Sequence, residues 1–162
     1  MRMHQGIALR VAYLVVRNES EAEDVTQDGF VKAYRSLGRF HEGSPFRPWL
    51  LKIIRNEALN RVRGNRRRQG LAVRASNDPV SGGAAPSPET EVISDDQSRR
   101  LLTLVEALPE RYRSVVLHRY LLDLSEQETA EILGVPVGTV KSRSHRALER
   151  LRRSLDAEEK TT

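Results

Sequence analysis

Between residues 137 and 155 six Lys/Arg stand against one acid, Glu149, and Thr139, Ser142 and His145 are interleaved with them. Hydroxyls, amines, guanidiniums and an imidazole on one short stretch hydrogen-bond to base edges and phosphates. The candidates for such contacts are Thr139, Lys141, Ser142, Arg143, His145 and Arg146. A second group lies upstream, where Trp49 heads a stretch carrying Lys52, Arg55, Asn56, Asn60, Arg61 and Arg63. An aromatic residue at the head of a basic helix suits single-stranded nucleic acid, because rings stack on bases while arginines follow phosphates. A plainer reading makes Trp49 a core anchor and leaves the arginines as solvated surface. A third group is acidic: Glu19, Glu21, Glu23, Asp24 and Asp28 fall within residues 18–28 with no base among them. Acids in the first turns of a helix complement its dipole, so a structural role accounts for them as well.

Groups arranged for catalysis are missing from this inventory. The chain has no cysteine, and His4, His41, His118 and His145 are scattered without ligand spacing, so neither a thiolate nor a zinc site is expected. Glu126, Glu128 and Glu131 share one helix with no His or Cys partner pattern, and their expected role is capping and solvation. The sequence predicts a binding protein that is not an enzyme and needs no cofactor or metal.

The elements that must carry these groups are helices. Ser125 stands three residues before Glu128, which makes a capping box, and Gly134 can take the positive φ that ends the helix. Pro136 fits the first turn of a second helix, whose Val140, Ala147, Leu148, Leu151 and Leu155 recur at helical spacing and are expected to face a core. Two helices joined by a short glycine turn, the second cationic, are the parts of a helix-turn-helix. Ahead of it, Leu101, Leu104, Val105 and Leu108 mark one helix, and the segment after Pro109 marks another with Tyr112, Val115, Val116 and Tyr120 inward. In the N-terminal half Ile7–Val16 is nearly all apolar, and its length allows a buried helix or a strand. Ser20 and Glu23 predict a second capping box, opening a helix that packs through Val25, Phe30, Ala33, Tyr34 and Leu37. Gly29 in its middle costs about 1 kcal/mol relative to alanine and needs an explanation. Phe40–Pro48 reads as a loop that opens a third helix from Phe46 to Arg63.

Residues 65–97 lack apolar periodicity and contain Gly82, Gly83, Pro86 and Pro88, the composition of a flexible linker. The expected architecture is all-α: a domain over 1–64, the linker over 65–97, a four-helix helix-turn-helix domain over 98–156 and a disordered tail over 157–162. A net charge of +5 and a pI near 10.0 favour a polyanionic partner. The charge comes in blocks, nine Lys/Arg over 39–68 but five acids and no base over 75–98, so more than one surface is met. No apolar run approaches the ~20 residues that span a bilayer. MRMHQG lacks the plan of a signal peptide, so a cytoplasmic location without membrane insertion is expected.

Three segments together carry a resemblance: AEDVTQDGFVKAYRSLGRF, SPFRPWLLKIIRNEALNRVR and LPERYRSVVLHRYLLDLSEQETAEILGVPVGTVKSRSHRALERLR. With the spacer between them they resemble the bacterial RNA polymerase sigma factors of the extracytoplasmic-function (ECF) class. Family members usually carry about another helix before the one that begins here near Gln5, and a larger residue at Gly29. The resemblance implies a transcription initiation factor whose second helix docks on the β′ clamp helices of core RNA polymerase. Asp24, Gln27, Asp28, Phe30, Lys32 and Tyr34 occupy the matching positions. It further implies that Phe40, Ser44, Phe46, Trp49, Lys52, Asn56, Asn60 and Arg63 take the opened −10 strand. The helix-turn-helix would read the −35 element and rest near the β flap, with an anti-sigma factor as a further partner and a monomer as the free state. Asp78, Glu89, Glu91, Asp95 and Asp96 would let the linker occupy a cationic nucleic-acid channel of polymerase. A stand-alone helix-turn-helix regulator, dimeric on duplex operators, is the rival reading. It accounts for 98–156 but gives Asp24–Tyr34 and the Trp49 helix no task.

Overall fold

The computed structural model describes residues 2–75 and 96–159. Among them are seven α-helices, one 3-10 turn and one π-helical turn, with no strand. The chain divides into two compact units, one built from α1–α3 and the other from α4–α7.

In the first unit α1 (Arg2–Val16), α2 (Glu19–Arg35) and α3 (Phe46–Ala75) pack pairwise against one another. Ile7–Val16 is therefore helix, and Ala8, Val11 and Ala12 are its fully buried residues. They meet Ala22, Val25 and Ala33 of α2 and Leu50, Leu51, Ile54 and Ala58 of α3 in the core. Gly29 finds its explanation here. A Cβ built on it would lie 2.4 Å from Ile54 Cδ1 and 3.4 Å from Ile54 Cα, so α2 and α3 cross at the distance of a residue with no side chain.

Three sequence expectations for this unit are corrected. The cap of α2 is Asn18, whose side chain accepts from the Glu21 N–H at 2.9 Å, and Ser20 lies inside the first turn. Tyr34 and Leu37 do not pack: they are 68% and 43% exposed. The third helix passes Arg63 and Gly64 and continues to Ala75, through the start of the expected linker. Lack of apolar periodicity does not end a helix whose arginine, glutamine and alanine propensities are favourable. Asn65 also ties this extension to α2, its Nδ2 donating to the Glu21 carboxylate at 3.1 and 3.4 Å. Residues 76–95, which hold most of the expected linker and four of its five named acids, lie outside the described residues.

The second unit holds α4 (Asp96–Ala107), α5 (Glu110–Val116), α6 (Glu126–Leu133) and α7 (Val137–Glu159). Two apolar clusters build it. Val105, Leu108, Tyr112 and Val116 join Ala147 and Leu151, while Val115, Ala130 and Val140 join α5, α6 and α7. The buried stripe of α7 is Val140, Ser144, Ala147 and Leu151. Leu148 and Leu155, expected inside, stand 45% and 37% exposed: Leu148 lies at the edge of that stripe, and Leu155, one turn beyond Leu151, lies past the last buried residue of α7. Tyr120 is also outside, 54% exposed. A π-helical turn over Leu117–Leu121, closed by Leu122 N–H on Leu117 O at 3.0 Å, adds a residue to the turn and swings the ring outward. Residues 157–159, expected in a disordered tail, belong to α7.

Candidate nucleic-acid interfaces

The helix-turn-helix is set by its caps. Ser125 Oγ accepts from the Glu128 N–H at 3.1 Å, and the Ser125 N–H donates to Glu128 Oε2 at 2.9 Å, which fixes the start of α6. Gly134 ends it at φ 68°, in the left-handed region. Pro136 then caps α7 with its carbonyl, accepting from Thr139 and Val140 at 2.9 and 3.2 Å. Ser125→Ala should destabilise this unit by about 1 kcal/mol, read as a lower urea midpoint with no change in slope.

The six candidate residues of α7 do not share one face. Thr139, Ser142, Arg143 and Arg146, spaced i, i+3, i+4 and i+7, form a single stripe. Lys141 and His145 lie on the other flank, where Lys141 stands 3.6 Å from Glu126 of α6. Lys141, Ser142, His145 and Arg146 are exposed, and Thr139 and Arg143 are half-buried. The Ser142 hydroxyl donates to Thr139 O at 3.1 Å, which leaves its lone pairs facing outward as acceptors.

The stripe meets a residue that the sequence reading assigned only to the core. Tyr112, on α5, is 5% exposed, with the guanidinium carbons of Arg111 and Arg150 at 4.8 and 5.1 Å from its ring centroid. Burial raises the phenol pKa, but the charge of Arg111, hydrogen bonds from Arg146 and Arg111 and the charge of Arg150 together bring it below 10.0. Arg111 adjoins Tyr112 in the sequence, but nothing local ties Tyr112 to Arg150 of α7.

In the first unit the aromatic residues gather at the head of α3. Phe40 and Trp49 centroids are 4.9 Å apart, Phe46 and Trp49 5.5 Å, and Phe40 and Phe46 5.7 Å. His4 of α1 joins at 5.8 Å from Phe46, a member that the sequence reading missed. Trp49 is half-buried, so it packs against its neighbours and keeps an accessible edge. Ser44 is exposed on the turn before α3, with its N–H on His41 O at 3.1 Å and Gly43 at φ 92°. Lys52, Asn56, Asn60 and Arg63 are exposed and spaced along one stripe of α3. Asn60 and Arg63 continue with Arg66 and Arg67 into an open basic concavity.

The acidic helix presents a third surface. Asp24, Gln27, Asp28, Lys32 and Tyr34 are exposed and Phe30 is half-buried. Asp28 accepts from Arg61 at 3.2 Å and Lys32 pairs with Glu57, so both lean toward α3. Val31, which the sequence reading left out, lies 50% exposed between Gln27 and Tyr34 and gives this charged face an apolar centre. No group of three or more His, Cys, Asp or Glu suited to a metal occurs among the described residues, and none of their helices is long and apolar enough to cross a membrane.

Residues 1–68 match the sigma-70 region 2 family, and residues 98–151 match sigma-70 region 4. The chain is 33% identical over 154 residues to the ECF RNA polymerase sigma factor SigW of Bacillus subtilis, covering 90% of this chain and 81% of that protein. It is 38% identical over 149 residues to the ECF RNA polymerase sigma-E factor of Escherichia coli, covering 86% and 78%. Among solved structures it resembles the sigma factor RpoE of Bartonella quintana, crystallised with the anti-sigma factor NepR. That match has a TM-score of 0.68 at 26% identity and covers 96% of this chain and 93% of that one. With both sigma regions present in order on one chain, a free-standing helix-turn-helix regulator is set aside: the protein belongs to the ECF sigma factors, which direct RNA polymerase to promoters.

Proposed function

We propose that the two units divide promoter recognition between them. The first docks on core RNA polymerase through Asp24, Gln27, Asp28, Phe30, Lys32 and Tyr34 of α2, with Val31 at the centre of the contact. It receives the opened −10 strand on Phe40, Ser44, Phe46 and Trp49 and along Lys52, Asn56, Asn60 and Arg63. The second reads the −35 duplex with Thr139, Lys141, Ser142, Arg143, His145 and Arg146, and rests near the β flap. The observation that carries this reading is that α2 and α3 of one small unit expose different chemistries, acidic and apolar on one and basic with an aromatic head on the other. A single duplex ligand has no use for both. Holding an unstacked base offsets the few kcal/mol that each opened step costs, and a half-buried aromatic cluster beside a cationic stripe suits that task.

The chain acts without catalysis, in the cytoplasm, as a monomer when free. An anti-sigma factor is a further partner, as the Bartonella quintana relative has one. Run-off transcription with purified core polymerase and a pool of native promoters tests the proposal. Specific initiation is the expected result, and no initiation at any start site would sink it. In the same assay Arg143→Ala and Arg146→Ala should both lower −35-dependent transcription. A lost base contact costs about 1–3 kcal/mol and shifts −35 preference, whereas a lost phosphate contact weakens all promoters alike. Unchanged preference in both variants would mean that another face of α7 reads the bases.

A further inference from the structure

Resting on the reading of α7 as the −35 helix, we propose that Arg111 and Arg150 form a clamp for a DNA backbone phosphate, with Tyr112 as its positioning residue. The two guanidiniums come from two helices, their carbons 4.8 and 5.1 Å from the centroid of one ring. That ring is fixed in the apolar cluster with Val105, Leu108, Val116, Ala147 and Leu151, so it cannot move to follow them. Two guanidinium carbons that both lie within 5.1 Å of one centroid are at most about 10 Å apart, close enough for like charges to repel and for one anion to relieve the repulsion. The neighbouring acids do not supply it: Glu110 pairs with Arg113 and Glu149 with Arg153, and neither clamp arginine pairs with a carboxylate among the described residues. Both arginines are exposed. Planar guanidiniums stacked on or bonded to a rigid phenol ring are pre-oriented for phosphate oxygens, which lowers the entropy lost on binding.

Placement on α7 argues for DNA. Thr139, Arg143, Arg146 and Arg150 follow one stripe. At about 1.5 Å per residue, Arg150 stands roughly 16 Å beyond Thr139, against a major groove about 12 Å wide. When the start of α7 reaches the bases, Arg150 arrives at the sugar–phosphate wall. The clamp fixes how deep and at what angle α7 sits, and it carries no sequence preference of its own.

The test uses the full chain bound to core polymerase and promoter duplexes in which single phosphates around the −35 element are replaced by uncharged methylphosphonates. One or two positions should weaken the wild-type complex by about tenfold. At those positions Arg111→Ala and Arg150→Ala should show no further loss. Their plots of log K against log salt should be shallower by about 0.9 per contact removed, with −35 base preference unchanged. Tyr112→Phe keeps the ring in the core and removes the phenol oxygen, so it should shrink the methylphosphonate penalty without moving the melting temperature, which a purely structural tyrosine would not do. Penalties undiminished in both arginine variants overturn the clamp and leave the cluster to an acidic protein partner. A wild-type complex indifferent to −35 base changes overturns the parent reading of α7 instead.

Discussion

Gly29→Val should destabilise the first unit by roughly 3 kcal/mol, the upper range for overpacking a core. The added Cβ alone would sit 2.4 Å from Ile54 Cδ1, and Ile54 is fully buried, so it has no solvent into which to swing. Valine adds two further carbons at the same crossing. Helix propensity works the other way, since glycine costs about 1 kcal/mol in a helix interior. Gly29→Ala therefore nets a smaller loss, about 1 kcal/mol. The mechanism has a sharper signature than either value. Ile54→Val removes Cδ1, the atom in the way, so the pair Gly29→Ala with Ile54→Val should be more stable than the sum of the single changes by about 1 kcal/mol. Denaturant titration followed by hydrogen exchange in α2 and α3 reads the cycle. Strict additivity, or a Gly29→Val protein with an unmoved midpoint, would show that the two helices can part at no cost. The same crossing fixes the acidic face of α2 relative to the basic stripe of α3, the two surfaces that the proposed function uses.

How much of this was legible depended on how local the deciding interaction was. The Ser125–Glu128 box, the left-handed Gly134 and the start of α3 at Phe46 could be read because each is settled within a few residues of chain. At the start of α2 two cap-competent residues, Asn18 and Ser20, stand two apart, and propensity cannot choose between them. The buried stripe of α7 includes Ser144, a polar residue, and ends at Leu151, so counting apolar positions moved the stripe toward Leu148 and carried it one turn too far, to Leu155. Tyr120 was misplaced because a π-helical turn breaks the 3.6-residue period on which the inference rested. The extension of α3 past Arg63 follows from helix propensity and is tied down by Asn65 meeting Glu21, forty-four residues away, and periodicity encodes neither. The interface residues followed the same rule. Charge and aromatic content marked the stretches, but only packing showed that Val31 is exposed, that His4 joins the Phe46 cluster and that Tyr112 gathers Arg111 and Arg150.

Asp28→Arg should abolish core-polymerase binding while leaving the first unit folded. Asp28 is on the exposed face of α2, with 65% of its side chain open to solvent. Its one ion pair among the described residues, to Arg61 at 3.2 Å, is of the surface kind that contributes about 0–1 kcal/mol, so the fold loses little when it goes. At a docking surface the reversed charge costs several kcal/mol, and 3 kcal/mol already corresponds to a Kd about a hundredfold weaker. Arg61 complicates the single change, because it would then face a second arginine. The charge swap Asp28→Arg with Arg61→Asp separates the two effects: it rebuilds the ion pair with its polarity reversed but keeps the wrong sign on the docking face. Pull-down of β′ should fail for the single variant and for the swap, while both should melt within about 1 kcal/mol of wild type. Recovery of binding in the swap would mean that Asp28 serves only to hold α3. Normal capture of β′ by the single variant would remove α2 from the polymerase contact and reassign that contact to another surface of the unit.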